Sequence, residues 1–187
     1  MNASIHSLPL RSSAPDVRNP LLKLASAPAF ASLPEADRRQ LRVLLDGVRR
    51  GAKAVADGLW RRGRVRKAAY WRACAVYAGH AARLAHPKPS PAAACALPLA
   101  LSGPNPLLAL PAAHLARDIS PAAAAALAHL MLDLRQDAKR SSVKSWQTAK
   151  SPMASYWADV ATYAGHCARF VRAGRPTAAE RPARLAA

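Results

Sequence analysis

Five of the seven residues from Arg61 to Lys67 are cations: Arg61, Arg62, Arg64, Arg66 and Lys67. Trp60 precedes the run, and Tyr70 and Trp71 follow it. Closely spaced cations beside aromatic rings suit one task, clamping a phosphate backbone whose counterions are released on binding. Arg38, Arg39, Arg42, Arg49, Arg50 and Lys53 carry the positive charge upstream. A solvated charged turn would account for any single arginine here, but less well for the whole set. Over the chain, 28 basic residues face 10 acidic ones, a net charge of +18. Such an imbalance points to a polyanionic partner, nucleic acid ahead of an anionic membrane surface.

Catalytic chemistry has little to work with. No HExxH, GxSxG, Walker or dinucleotide-binding glycine loop is present. The three cysteines, Cys74, Cys95 and Cys167, show no CxxC spacing and read as reduced small apolar residues of a cytoplasmic protein. The expectation is a non-enzymatic protein with no cofactor and no metal.

The chain says one thing twice. Tyr70 to Arg83 reads YWRACAVYAGHAAR and Tyr156 to Arg169 reads YWADVATYAGHCAR, an offset of 86 residues. At that offset Trp60 falls on Trp146, Arg49 on Arg135, Lys53 on Lys139, and Asn19-Pro20-Leu21-Leu22 on Asn105-Pro106-Leu107-Leu108. No gap is needed from Asn19 to Arg172, and roughly a third of the paired positions are identical. The pattern implies a tandem duplication, with a module at 19–86 and a second at 105–172. Their charges differ: 14 basic against 4 acidic residues in the first, 8 against 4 in the second. No acid aligns with an acid across the offset.

Each module reads as a short leading helix followed by two longer ones. Asn19-Pro20 and Asn105-Pro106 look like an N-cap and a first helical residue. Ser32-Leu33-Pro34-Glu35 has the form of a capping box, and Ser120-Pro121 is the matching start. Leu41, Leu44, Leu45, Val48, Ala52, Val55 and Leu59 recur at spacings of three and four, as do Leu127, Leu130, Met131, Leu134 and Ala138. The second stripe weakens at Ser141-Ser142. Arg61 to Lys67 and Gln147 to Pro152 read as connectors. In the helix that follows, Tyr70, Cys74, Tyr77, Ala78, Ala81 and Leu84 gather on one side, with Arg72, Gly79, His80 and Arg83 on the other. The fold class expected is all-α, two hairpins packed as a pseudo-twofold bundle. Residues 1–18 and 173–187 read as disordered tails and 87–104 as a Pro/Ala linker. Pro91, Pro98, Pro104, Pro106 and Pro111 argue against a transmembrane segment in the uncharged stretch 89–116. No secretory signal is expected, because the first residues lack a continuous apolar run.

Residues kept in both modules are those both need. Trp60/Trp146, Tyr70/Tyr156 and Tyr77/Tyr163 read as structural anchors. Trp71/Trp157 lie at the edge of the apolar arc, where exposed rings could stack on bases. Gly79/Gly165 sits mid-helix, where glycine costs about 1 kcal/mol against alanine. It implies either close helix packing or the approach of a nucleic-acid backbone. His80/His166 reads as a packing residue. Arg83/Arg169 serves either a phosphate or the helix C-terminus.

Together these features point to a protein that binds nucleic acid, DNA ahead of RNA. The expected contacts are Arg49, Arg50, Lys53, Arg61, Arg62, Arg64, Arg66, Lys67, Arg72, Arg83 and Arg169. The Ala/Arg/Pro-rich composition suggests a bacterial genome of high GC content, and the setting expected for such a protein is an accessory or regulatory factor of a mobile element. The rival reading is an adaptor or inhibitor docking on an acidic protein. A homo-oligomer is compatible with either.

Overall fold

The computed structural model describes residues 19–85 and 105–173, and every regular element among them is helical. A 3-10 turn at Pro20–Lys23 leads into α1 (Ala27–Ala31), α2 (Glu35–Arg61) and α3 (Val65–Ala85). Two 3-10 turns, Pro106–Ala109 and Pro111–Arg117, precede α4 (Pro121–Gln147) and α5 (Ser151–Ala173). The assigned tail at 1–18, the linker at 87–104 and the tail beyond Ala173 lie outside the described residues. Among the described residues no helix is long and apolar enough to cross a membrane.

The long helices form where the apolar period required them. All seven stripe residues of α2 and all five of α4 are buried. The serines that interrupt the second stripe do not end α4: Ser142 Oγ donates to Ala154 O at 2.9 Å, and the backbone carbonyl of Ser141 accepts from Ser145 Oγ at 2.8 Å. The capping box does not form. Pro34 occupies the N-cap of α2 without a side-chain bond, and Ser32 Oγ instead donates to Ala29 O. In α4 the start is as read: Ser120 Oγ accepts from Ala123 N at 3.1 Å.

The connectors are shorter than the charge pattern suggested. Val65, Arg66 and Lys67 belong to the first turn of α3, and only Arg62, Gly63 and Arg64 form the loop. A left-handed residue closes α2, with Gly63 N donating to Trp60 O and Arg64 N to Leu59 O. The corresponding residue after α4 is Ala149, at φ 55°, with Ala149 N on Trp146 O and Lys150 N on Ser145 O. A Cβ in this region costs about 1 kcal/mol. Ala149→Gly is therefore expected to stabilise the protein by about 1 kcal/mol and to raise Tm by about 2–4 °C in a thermal melt. No rise would mean that the loop avoids the left-handed conformation in solution.

These tight loops fold α2 on α3 and α4 on α5 as hairpins, and α3 packs against α5. Being gripped from several sides, α3 is buried beyond the single arc read from the sequence: Trp71, Ala73, Gly79 and Ala82 are buried as well. The leading segments cross over. α1 lies on α4, and Pro111–Arg117 lies on α2. Gly47 makes room for the second crossing, since a Cβ there would stand 2.6 Å from that of Ala112. At the first crossing Asp133 Oδ2 accepts from Ser26 N at 3.0 Å, and Lys23 pairs with Asp137 at 3.0 Å.

Asn19 and Asn105 tie each leading segment down. Their side-chain oxygens accept from Leu21 N and Leu107 N, both at 3.2 Å. Their amide nitrogens donate to His80 O at 3.0 Å and His166 O at 2.9 Å. Sequence spacing had identified only the capping bond.

Candidate nucleic-acid interface

Two grooves run along the outer seams of the hairpins. The first, between α2 and α3, has Arg49, Lys53 and Arg83 on its walls and Gly79 at its floor. The second, between α4 and α5, has Arg135, Lys139, Arg169 and Gly165 in the same places. Each has a cavity volume of ≈ 460 Å³. All nine lining positions of one groove meet those of the other at the offset of 86 residues.

Helix periodicity explains the stripes. Residues 49, 53, 56 and 57 share one face of α2, and 72, 75, 76, 79 and 83 share one face of α3. The glycine lets a cation lie down. A Cβ on Gly79 would meet Arg49 Cδ at 3.1 Å, and one on Gly165 would meet Arg135 Nε at 3.4 Å. Both glycines are buried under these side chains. The nearest neighbour of each glycine is thus an arginine side chain and not the backbone of another helix, and the missing Cβ lets that arginine line the groove.

The charge of the two grooves matches although the halves differ. The first carries Arg49, Lys53, Arg72 and Arg83 against Asp57; the second carries Arg135, Lys139 and Arg169 and no acid. Both come to a net +3. Arg72 and Asp57 stand where the second groove has Ala158 and Val143, so the divergent charges cancel. Lys53 Nζ lies 2.7 Å from Asp57 Oδ2, and this bond, with Arg72 and Arg61 nearby, lowers the carboxyl's pKa. Among the described residues Arg49, Arg72, Arg83, Arg135, Lys139 and Arg169 have no carboxylate within 4.0 Å. These six cations give both seams a positive surface.

The histidines adjoin the grooves without adding charge. Burial, then Arg83, brings His80 down to about 4. Arg83 donates to His80 Nδ1 at 2.8 Å, which leaves the imidazole proton on Nε2. His166 is lowered by burial and by Arg169, and its Nδ1 lies 2.6 Å from the Tyr70 hydroxyl across the α3–α5 contact. Cys74 and Cys167 are buried in the same contact, and burial pushes both thiols up, Cys167 to about 12. They stay protonated at neutral pH and are poor nucleophiles.

The basic run at the first hairpin tip is exposed but divided in its duties. Arg66 reaches the other half, donating to Ser155 Oγ at 2.6 Å and standing 3.6 Å from Asp159 Oδ2. Arg61 Nε donates to Asp57 O at 3.4 Å. Arg62, Arg64 and Lys67 are left facing solvent, as is Arg50, which lies outside both grooves.

The stacking candidates are reversed. Trp71 is 4% exposed, and Trp157 is partly buried. Packing of α3 and α5 on several neighbours consumes the edge of the arc on which both sit. The exposed rings are Trp60 and Trp146, taken from the sequence as anchors. Each lies on the groove-facing side of its helix, one turn beyond the lining residues. Tyr77 and Tyr163 are buried, as anchors should be. Arg135 and Lys139 were absent from the expected contacts; their alignment with Arg49 and Lys53 was the signal that could have found them. Compared with family models, curated proteins and solved structures, the chain matches none.

Proposed function

We propose that the chain is a tandem duplication packed about a pseudo-twofold axis, and that it is a non-enzymatic nucleic-acid-binding protein gripping phosphates in two equivalent grooves. DNA is placed ahead of RNA. The observation that carries this reading is the survival of Arg49/Arg135, Lys53/Lys139 and Arg83/Arg169 between halves whose other charges diverged. Scaffold requirements do not keep exposed cations at matching positions, and of these six only Lys53 has a carboxylate partner among the described residues. A requirement for an anion does. Arg62, Arg64 and Lys67 add to the grip at one tip.

Binding measured against salt concentration tests it. Six groove cations on six phosphates give a slope of log K on log salt near −5, a loss of about a thousandfold between 50 and 200 mM. A slope shallower than about −2, or no retention of duplex or single strands at low salt, would sink the proposal. Loss of an acidic protein partner on charge reversal at these residues, with nucleic acid unaffected, would favour the adaptor reading instead.

A further inference from the structure

We infer that each groove is a single-strand site, in which the sugar-phosphate chain lies on the three cations and a base stacks on the exposed tryptophan at the hairpin tip. This rests on the nucleic-acid reading and narrows its ligand to single strands.

Groove width is the first argument. Neighbouring helix axes lie about 8–10 Å apart, and the trough between them is bottomed by Gly79 or Gly165. One phosphodiester chain enters such a trough. A duplex is far wider and would touch only the rim, leaving Arg49 and Arg135, which lie against the glycine floor, short of its phosphates.

The second argument is the tryptophan. Trp60 follows Lys53 by seven residues, about 10 Å along the helix, and Trp146 stands in the same relation to Lys139. A nucleotide's own span bridges a phosphate at the lysine and a base at the ring. Large rings left in water at both tips, on the groove side, match the stacking platforms that hold unpaired bases. Trp60 is 49% and Trp146 64% exposed. The difference has a cause in the first groove, where Arg72 Cζ sits 4.3 Å from the Trp60 ring centroid; Ala158 takes that position in the second. The second groove, in the less basic half, therefore presents the more open platform, and a base entering the first must share or displace the guanidinium.

The test uses the full chain with an oligodeoxythymidylate of about twelve nucleotides and with the duplex it forms with its complement. The single strand is expected to bind more tightly than the duplex and to quench tryptophan fluorescence, mostly from Trp146. Trp60→Ala with Trp146→Ala should weaken single-strand binding about ten- to a hundredfold, change duplex binding less than about twofold and abolish the quenching. The corresponding Phe variants, which keep a stacking face, should retain most of the affinity. Equal loss on both ligands, or no loss on either, overturns the single-strand site while leaving phosphate binding intact. If the wild-type protein holds neither ligand at low salt, the nucleic-acid reading itself falls.

Discussion

Glutamine at Arg49, Lys53, Arg83, Arg135, Lys139 and Arg169 together is expected to lower nucleic-acid affinity at low salt on the order of a thousandfold. The side chains are exposed or half-exposed, and only Lys53 has a carboxylate partner among the described residues, the half-exposed Asp57, so removing their charge leaves no buried group unpaired. Circular dichroism should be unchanged. The informative comparison is between halves. Neutralising one triplet should shrink the salt slope by about 3, and neutralising the other should shrink it by the same amount, because each groove carries a net +3. Equal effects would tie binding to the features the halves share. Should the first triplet matter and the second not, the surplus charge of the first half would be the whole explanation, and the equivalence of the grooves would be incidental. Glutamine at Arg62, Arg64 and Lys67 is the control, with a smaller loss confined to the first hairpin tip.

The second large effect concerns stability. Asn19→Ala combined with Asn105→Ala should cost about 4 kcal/mol, about 2 at each site. Each asparagine is 8% exposed and serves two partners that water cannot reach easily. Alanine strips the cap from Leu21 N or Leu107 N and removes the amide donor from His80 O or His166 O. Aspartate separates the two contributions. It caps as well as asparagine does, but it presents oxygen, not N–H, to a carbonyl oxygen. Asn19→Asp should therefore be no better than Asn19→Ala in a denaturant titration. Full recovery with aspartate would show that capping alone fixes the leading segment and that the bond across 61 residues contributes nothing.

The helical class and the course of the long helices were legible because apolar residues recur at three and four over about five turns of α2, a pattern with one local solution. The loop after each long helix was legible in place but not in extent. Charge suggested a seven-residue connector, whereas hydrogen bonding around Gly63 closes it in three. The capping box failed for a local reason as well: Pro34 stands at the N-cap, and the serine two residues earlier bonds backward to Ala29 O. Burial was misjudged where a helix has more than one neighbour. A single projection gave α3 one apolar side, yet α2, α5 and α1 all pack on it, which put Trp71 inside and left Trp60 at the tip.

What the amino-acid order determined alone was the repetition at 86 residues, the helices and the excess of positive charge, since each follows from residue type and spacing along one dimension. What only the tertiary structure decided was which of the many cations lie together. Arg49 and Arg83 are 34 positions apart and become wall-mates only when a three-residue loop folds α3 back along α2 and a glycine lets the arginine lie flat. The exchange of leading segments between the hairpins was equally out of reach, because Asp133 caps Ser26 from 107 residues away and no local preference encodes that distance.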